Sequence, residues 1–85
     1  MFDILFTPRG QKDLNKLPKD LQIRVVNKLQ FFASQENPLV FSKTLVDLPP
    51  TTHRFRIGNY RVAFYIAAKT ICVDRIRHRK EVYLR

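Results

Sequence analysis

The clearest pattern along the chain is an alternation of apolar and basic residues on both sides of Gly58-Asn59. A period of two is typical of β-strands, and a two-residue Gly-Asn turn joins two strands into a hairpin. Such a turn fixes the register, so we expect Arg56 to lie opposite Arg61. One face of the predicted hairpin is apolar, with Phe55, Ile57, Tyr60, Val62 and Phe64, and the other carries Arg54, Arg56 and Arg61.

An amphipathic helix is predicted from Lys19 to about Gln35, because apolar residues recur there at helical spacing. The residues within one arc of this helix are Leu21, Val25, Val26, Leu29, Phe32 and Ala33. Upstream, Thr7-Pro8 has the composition of a helix start and predicts a short helix to about Lys16. Pro18 then predicts a tight helical hairpin, and the apolar run from Phe2 to Phe6 predicts a first strand.

The second half of the chain predicts further strands. Asn37-Pro38 ends the long helix, and residues 39–52 are interpreted as a partly packed connection. After the hairpin, a turn near Ala68-Lys69 precedes a third strand from Thr70 to Arg77, and residues 78–85 are interpreted as a strand extension or a loose tail. We therefore expect a single α+β domain over residues 1–85: an N-terminal strand, a helical hairpin, and an antiparallel three- to four-stranded sheet with helices on one face and a basic open face.

The chain carries a formal net charge of +9, which is concentrated in its C-terminal part. Residues 53–85 hold nine basic and two acidic side chains, and seven of the nine are arginines. Like charges that face each other on a sheet destabilise it by up to about 1 kcal/mol, so the pair Arg56 and Arg61 indicates an anionic ligand. A planar guanidinium suits phosphate, which favours a nucleic acid. An acidic protein partner, or a solvated face that only prevents aggregation, remains an alternative.

Few side chains suit metal or covalent chemistry. His53 and His78 lack metal-ligand spacing and the acidic residues are scattered, so we predict no metal site and no cofactor. Cys72 lies in an apolar run and is expected to be a buried, inert thiol. No stretch reaches the roughly 18 apolar residues of a membrane span, and the N-terminus lacks a signal-peptide pattern. We therefore expect a cytoplasmic protein with no membrane partner.

Two segments resemble a known family. The run from Arg54 to Val62, RFRIGNYRV, and the run from Arg75 to Tyr83, RIRHRKEVY, are similar to the RelE/ParE superfamily of toxins from toxin-antitoxin pairs. The first strand and the helical hairpin follow the family order as well. The resemblance implies a ribosome-dependent, metal-free endoribonuclease that cuts messenger RNA in the decoding site. It also implies a RelB-like antitoxin that holds the toxin inactive in a hetero-oligomeric complex.

The resemblance also suggests roles for individual residues. Arg61 is similar to the phosphate-binding arginine of the RelE-like branch, Arg77 to its proposed general acid, and Tyr83 to the tyrosine that stacks on or orients the substrate. Arg54 and Arg56 stand where that branch commonly has lysines, one of them a candidate general base. Since the pKa of arginine is above about 12, it is a poor base. Arg54 and Arg56 are therefore expected to stabilise charge, and the base is left unassigned.

Two other functions remain open from the sequence. A ParE-like chain would inhibit DNA gyrase by binding, and both branches share one scaffold. A degenerate relative would keep only nucleic-acid or antitoxin affinity, which the missing lysines make credible. The retained Arg61, Arg77 and Tyr83 favour the ribonuclease.

Overall fold

The computed structural model describes the backbone of residues 1–83 and the side chains of residues 1–81. The elements in chain order are strand β1 (Asp3–Phe6), helices α1 (Pro8–Asn15) and α2 (Lys19–Ala33), a 3₁₀ helix (Pro38–Phe41), strands β2 (Ser42–Thr44), β3 (His53–Ile57), β4 (Tyr60–Ala67) and β5 (Thr70–His78), and helix α3 (Arg79–Tyr83). The α+β prediction is confirmed.

The five strands form one sheet in the order β1-β5-β4-β3-β2. Strands β2 to β5 pair antiparallel, whereas β1 pairs parallel to β5 at the edge. Strand β2 falls in the segment that was interpreted as a connection, so that interpretation was wrong for Ser42–Thr44. Three residues are too few to give a periodic pattern, and only their pairing with β3 makes them a strand.

The predicted hairpin register is confirmed at every position. Ile57 pairs with Tyr60, and further pairs join Arg56 to Arg61, Phe55 to Val62 and Arg54 to Ala63. Gly58 has a φ of 59°, a left-handed conformation that glycine adopts without steric cost. The two-residue turn therefore sets which side chains share a face of the sheet.

Helix α1 begins as the sequence predicts and crosses very close to the sheet. The Thr7 side chain accepts a hydrogen bond from the Gly10 backbone N–H at 3.1 Å, and Pro8 is the first helical residue. A Cβ atom at Gly10 would lie only 2.2 Å from the Val73 carbonyl oxygen. Glycine at this position therefore permits the close packing of α1 on β5, although it weakens the helix itself.

The core lies between α2 and the helix-facing side of the sheet. Val25, Leu29, Phe32 and Ala33 are buried, which confirms the predicted arc of α2. Three aromatic rings stack through this core, with centroid distances of 4.3 Å from Phe32 to Phe55 and 4.2 Å from Phe55 to Phe64. The helices therefore cover the apolar hairpin face and leave the arginine face to the opposite side.

The C-terminal segment differs from its prediction, because Arg79–Tyr83 form a helix and not a strand or a loose tail. His78 and Glu81 make a capping box at its start. The His78 Nδ1 atom accepts a hydrogen bond from the Lys80 N–H, and Glu81 Oε1 accepts one from the His78 N–H at 3.1 Å. This reciprocal arrangement satisfies backbone donors of the first helical turn.

Candidate nucleic-acid interface

The sheet arranges its basic residues in two rows on the face opposite the helices. Side chains of directly paired residues project from the same face. The first row follows from the pairs of Arg61 with Arg56 and Arg77, and consists of Arg56, Arg61 and Arg77. The second row runs from β2 to β5 and consists of Lys43, Arg54, Ala63 and Arg75.

A β-bulge in β5 places Arg75 and Arg77 on the same face of the sheet as the other residues of these rows. Ala63 pairs with Arg75 but Phe64 pairs with Val73, so Asp74 is an extra residue on β5. Val73 before the bulge and Ile76 after it both lie in the core. Without the bulge, the alternation would turn the Arg75 and Arg77 side chains toward the core. The extra residue instead directs both arginines to the basic face.

Contacts from α1 hold the bulge in place. The Thr7 Oγ1 hydroxyl donates a hydrogen bond to Asp74 Oδ1 at 2.8 Å, and Arg9 forms an ion pair with the other carboxylate oxygen. Burial of the Asp74 carboxyl by itself raises its pKa, but the hydrogen bonds from Arg9 and Thr7 outweigh burial. The pKa of Asp74 therefore lies below its ordinary value, and the carboxylate is charged at neutral pH.

Five residues of the two rows, all except Lys43 and Arg56, form the floor of a cleft with a volume of about 370 Å³. Its lining comprises Arg54, Arg61, Ala63, Arg75 and Arg77 on the strands, Leu45, Leu48, Pro49 and Thr51 from the loop after β2, and Arg9 and Glu81 from the flanking helices. Arg61 is only 5% exposed. Five arginines and one carboxylate therefore surround a space that is open to solvent.

Carboxylates bind the arginines on the β5 side of the cleft. Asp13 Oδ2 lies 3.2 Å from Arg75 Nε and also accepts the Ile76 backbone N–H at 2.9 Å. Arg77 Nη1 lies 3.3 Å from Glu81 Oε2, with both side chains about half exposed. The contact with the mostly buried Asp13 holds the Arg75 guanidinium in place. The exposed pair of Arg77 with Glu81 is weaker and adds only about 0.2–1 kcal/mol to stability.

The structure brings three of the five predicted site residues into this cleft, namely Arg54, Arg61 and Arg77. Arg56 belongs to the first row but is exposed and lies outside the cleft lining. Tyr83 lies in α3, and its side chain is outside the described part of the chain.

Sequence reasoning missed three charged cleft residues, Arg9, Arg75 and Glu81. Arg75 alternates with Ile76 and Arg77 and was visible from the pattern. Glu81 was visible as the acidic partner of a capping box that begins at His78. Arg9 reaches the cleft only through the packing of α1 on β5, which no local pattern reveals.

Within residues 1–83, no group of three or more His, Cys, Asp or Glu side chains is arranged to hold a metal ion. Cys72 is buried, as predicted. No helix in the same described range is long and apolar enough to cross a bilayer. The chemistry that the cleft itself offers is the binding of anions by guanidinium groups and the stabilisation of negative charge.

Comparisons with known proteins agree with the fold. Residues 4–83 match the family described as the ParE toxin of the type II toxin-antitoxin system, parDE. A RelBE toxin-antitoxin complex from Mycobacterium tuberculosis contains a similar chain, with 30% identity, a TM-score of 0.78, and coverage of 91% of this chain and 96% of that one. None of the curated protein sequences compared with this chain matches it.

Two further solved complexes have the same fold. The RelB-RelE antitoxin-toxin complex from Methanococcus jannaschii is similar at 29% identity and a TM-score of 0.66, covering 93% of this chain and 94% of that chain. The intact RelBE complex from E. coli is similar in fold, at 16% identity and a TM-score of 0.69, covering 92% and 96%. The chain therefore belongs to the RelE/ParE superfamily of toxins from type II toxin-antitoxin systems.

Proposed function

We propose that this toxin is a ribosome-dependent endoribonuclease that cuts messenger RNA in the decoding site without a metal ion. The observation that carries the proposal is the convergence of Arg54, Arg61, Arg75 and Arg77 in one cleft. A concentration of guanidinium groups has no evident benefit for folding, since neighbouring like charges repel. It is suited to a phosphodiester whose negative charge increases in the transition state.

In the proposed reaction, the ribose 2′-hydroxyl loses its proton to solvent water as its oxygen attacks the adjacent phosphorus, and the bond from phosphorus to the 5′-oxygen breaks. The products are a 2′,3′-cyclic phosphate and a 5′-hydroxyl end. Arg61 binds the phosphate and stabilises its extra charge, and Arg77 donates the proton that the leaving 5′-oxygen takes up. Arg54 and Arg56 neutralise charge, and Tyr83 stacks on the base next to the scissile bond.

Positioning carries much of the catalysis in this proposal. Arginine has a pKa above about 12, so all the cleft arginines are protonated before the reaction and none can remove the 2′-hydroxyl proton. They supply positive charge, and Arg77 also gives one proton to the leaving oxygen and regains it from solvent. Correct alignment of a 2′-oxygen with phosphorus can lower a barrier by several kcal/mol. In the proposal, the ribosome supplies this alignment by holding the message in the decoding site.

The test uses ribosomes paused on a defined message, with new RNA ends mapped after the purified toxin is added and a ribosome-free reaction as control. New ends at the decoding site only in the presence of ribosomes are expected. Arg61→Lys and Arg77→Gln are expected to reduce cleavage strongly. Arg24→Ala should cut normally because Arg24 lies on α2, with its guanidinium beside the Gly58 turn and outside the cleft lining. Full cleavage by folded Arg77→Gln would contradict the role of Arg77.

We further propose that a RelB-like antitoxin covers the basic cleft with an acidic or amphipathic segment, in a hetero-oligomeric complex in the cytoplasm. Support comes from similar chains solved as RelB-RelE and RelBE complexes and from the net charge of +9. Hydrogen exchange of the complex should protect the backbone of residues 53–57 and 60–67 more than in the free toxin. A stable complex in which the cleft arginines react with phenylglyoxal as fast as in the free toxin would contradict this proposal.

A second candidate function is inhibition of DNA gyrase by binding. The observation that favours it is the match to a family described as the ParE toxin. Purified gyrase, supercoiled DNA and the toxin would be incubated and then denatured. Accumulation of cleaved DNA in complex with gyrase, with no cutting of ribosome-bound messages, would favour gyrase inhibition over the ribonuclease. If the toxin neither cuts ribosome-bound messages nor traps gyrase on cleaved DNA, the result would favour a degenerate relative that only binds nucleic acid or antitoxin.

A further inference from the structure

The second row of the sheet contains a gap between two arginines. Ala63 is the central residue of this row, with Arg54 on β3 on one side and Arg75 on β5 on the other. All three residues line the cleft. Strands β3 and β5 are two strand spacings apart, which is about 9.5 Å between backbones. Since alanine contributes only a methyl group, a hollow lies between the two longer side chains.

We propose that Arg54, Ala63 and Arg75 form a second phosphate-binding subsite, which we name the Ala63 subsite. It would bind a backbone phosphate next to the one held by the first row. Arg61 and Ala63 are two residues apart on the same face of β4, or about 6.8 Å along the strand. This separation is comparable to that of neighbouring phosphates on an extended nucleic-acid strand. The ligand class is therefore a single strand that runs along β4.

The contacts of Arg75 fit a preorganised phosphate ligand. Arg75 Nε donates a hydrogen bond to Asp13 Oδ2, and the Ile76 backbone N–H donates another to the same oxygen. One edge of the guanidinium is therefore held in place, and the side chain loses less rotamer freedom when an anion binds to its other nitrogens. A plainer role for Arg75 is a structural ion pair that only connects α1 to β5, and the experiment must separate the two.

The salt dependence of binding separates these roles. The probe is a fluorescent 2′-O-methyl RNA oligonucleotide, which lacks a free 2′-hydroxyl and cannot be cut, titrated with full-length toxin at several salt concentrations. Each phosphate contact to a single strand contributes about −0.7 to the slope of log K against log salt. Arg75→Ala is expected to make the slope shallower by about 0.7, so that a fourfold rise in salt costs about 2.6-fold less affinity than in the wild type.

Ala63→Leu tests the subsite without changing the charge. Its side chain would fill the hollow between Arg54 and Arg75, so we expect weaker binding and a slope that is shallower by the same amount. Arg24→Ala is the matched control, because it removes an arginine from the helix side of the molecule and should keep the wild-type slope. Thermal unfolding of every variant verifies that the folded protein is compared.

The inference rests on the proposed function for the choice of RNA, but the two can fail separately. Wild-type slopes in folded Arg75→Ala and Ala63→Leu, with ribosomal cleavage intact, would overturn the subsite and leave the ribonuclease standing. Equal slope changes in Arg75→Ala and Arg24→Ala would also overturn it, because binding would then depend only on net charge. If the salt slope becomes shallower in Arg75→Ala and Ala63→Leu but the wild-type toxin cuts no message on ribosomes, the subsite is supported and the ribonuclease is overturned.

Discussion

Replacement of Asp74 tests whether the bulge in β5 is held by α1. The buried carboxylate accepts a hydrogen bond from Thr7 and forms an ion pair with Arg9. A hydrogen bond to a charged, buried acceptor contributes about 1.5–3 kcal/mol. The Arg9 side chain is 56% exposed, so its pair belongs to the exposed class and contributes at most about 1 kcal/mol. Asp74→Ala is therefore expected to lower the free energy of unfolding by about 2 kcal/mol.

For a domain of this size, each kcal/mol shifts the melting temperature by about 4–8 °C. Asp74→Ala should therefore melt roughly 10 °C or more below the wild type. Asp74→Asn keeps an acceptor for Thr7 but loses the charge, and should cost about half as much. Asp3→Asn is the control, because it removes an exposed carboxylate from β1. Urea unfolding followed by circular dichroism measures all three variants.

The pH dependence has a definite sign. The pKa of Asp74 in the folded state lies below its ordinary value because of its bonds to Arg9 and Thr7, which outweigh burial. The stabilising effect of the charge is therefore fully present above the unfolded-state pKa of about 3.9, and it is lost as the pH falls through the folded-state pKa. The difference between wild type and Asp74→Asn should be largest near neutral pH and shrink below about pH 4. A melting temperature unchanged by Asp74→Ala would refute the proposed role of α1, and a difference that does not begin to shrink as the pH falls below about 4 would refute the electrostatic part.

Three more substitutions test other parts of the fold. Gly10→Ala should destabilise the protein by about 1–3 kcal/mol, because the contact with the Val73 carbonyl oxygen outweighs a gain of about 1 kcal/mol in helix propensity; a higher melting temperature would contradict this. Phe55→Ala removes the fully buried ring at the centre of the aromatic stack and should cost about 3–5 kcal/mol in urea unfolding; a loss below about 1 kcal/mol would show that the core repacks. Arg56→Gln relieves repulsion from Arg61 and should raise stability by up to about 1 kcal/mol while weakening RNA binding; lower stability would mean that the first row is not repulsive.

Local patterns were sufficient to predict the parts of the fold that depend on neighbouring residues. The register of β3 and β4 follows from two turn residues, Gly58 and Asn59, and was correct throughout. Helix α2 was predicted because apolar residues recur at helical spacing from Leu21 to Ala33, nearly the whole of its fifteen residues, which gives a strong periodic signal. In both cases the side-chain pattern and the element form within one continuous segment.

Non-local contacts determined what the sequence left open. Strand β2 exists only through its pairing with β3, and Arg9 reaches the cleft only because α1 packs on β5. The bulge could be predicted in part from a local pattern. The spacing between apolar residues is two from Ile71 to Val73 and three from Val73 to Ile76. That change of phase is the sequence signal of an extra residue, and it predicts that Arg75 and Arg77 project from the face opposite the core and not toward it.

The ion pairs make the two sides of the cleft electrostatically different. On the β5 side, Arg75 and Arg77 each contact a carboxylate, from Asp13 and Glu81 respectively. On the β3 side, none of the carboxylates in the described part of the chain lies within ion-pair distance of Arg54. Its positive charge is therefore more available to an approaching anion. An anion that enters the cleft would find no competing carboxylate among the described residues at Arg54, while Arg75 is already oriented by Asp13, which lowers the entropy lost on binding.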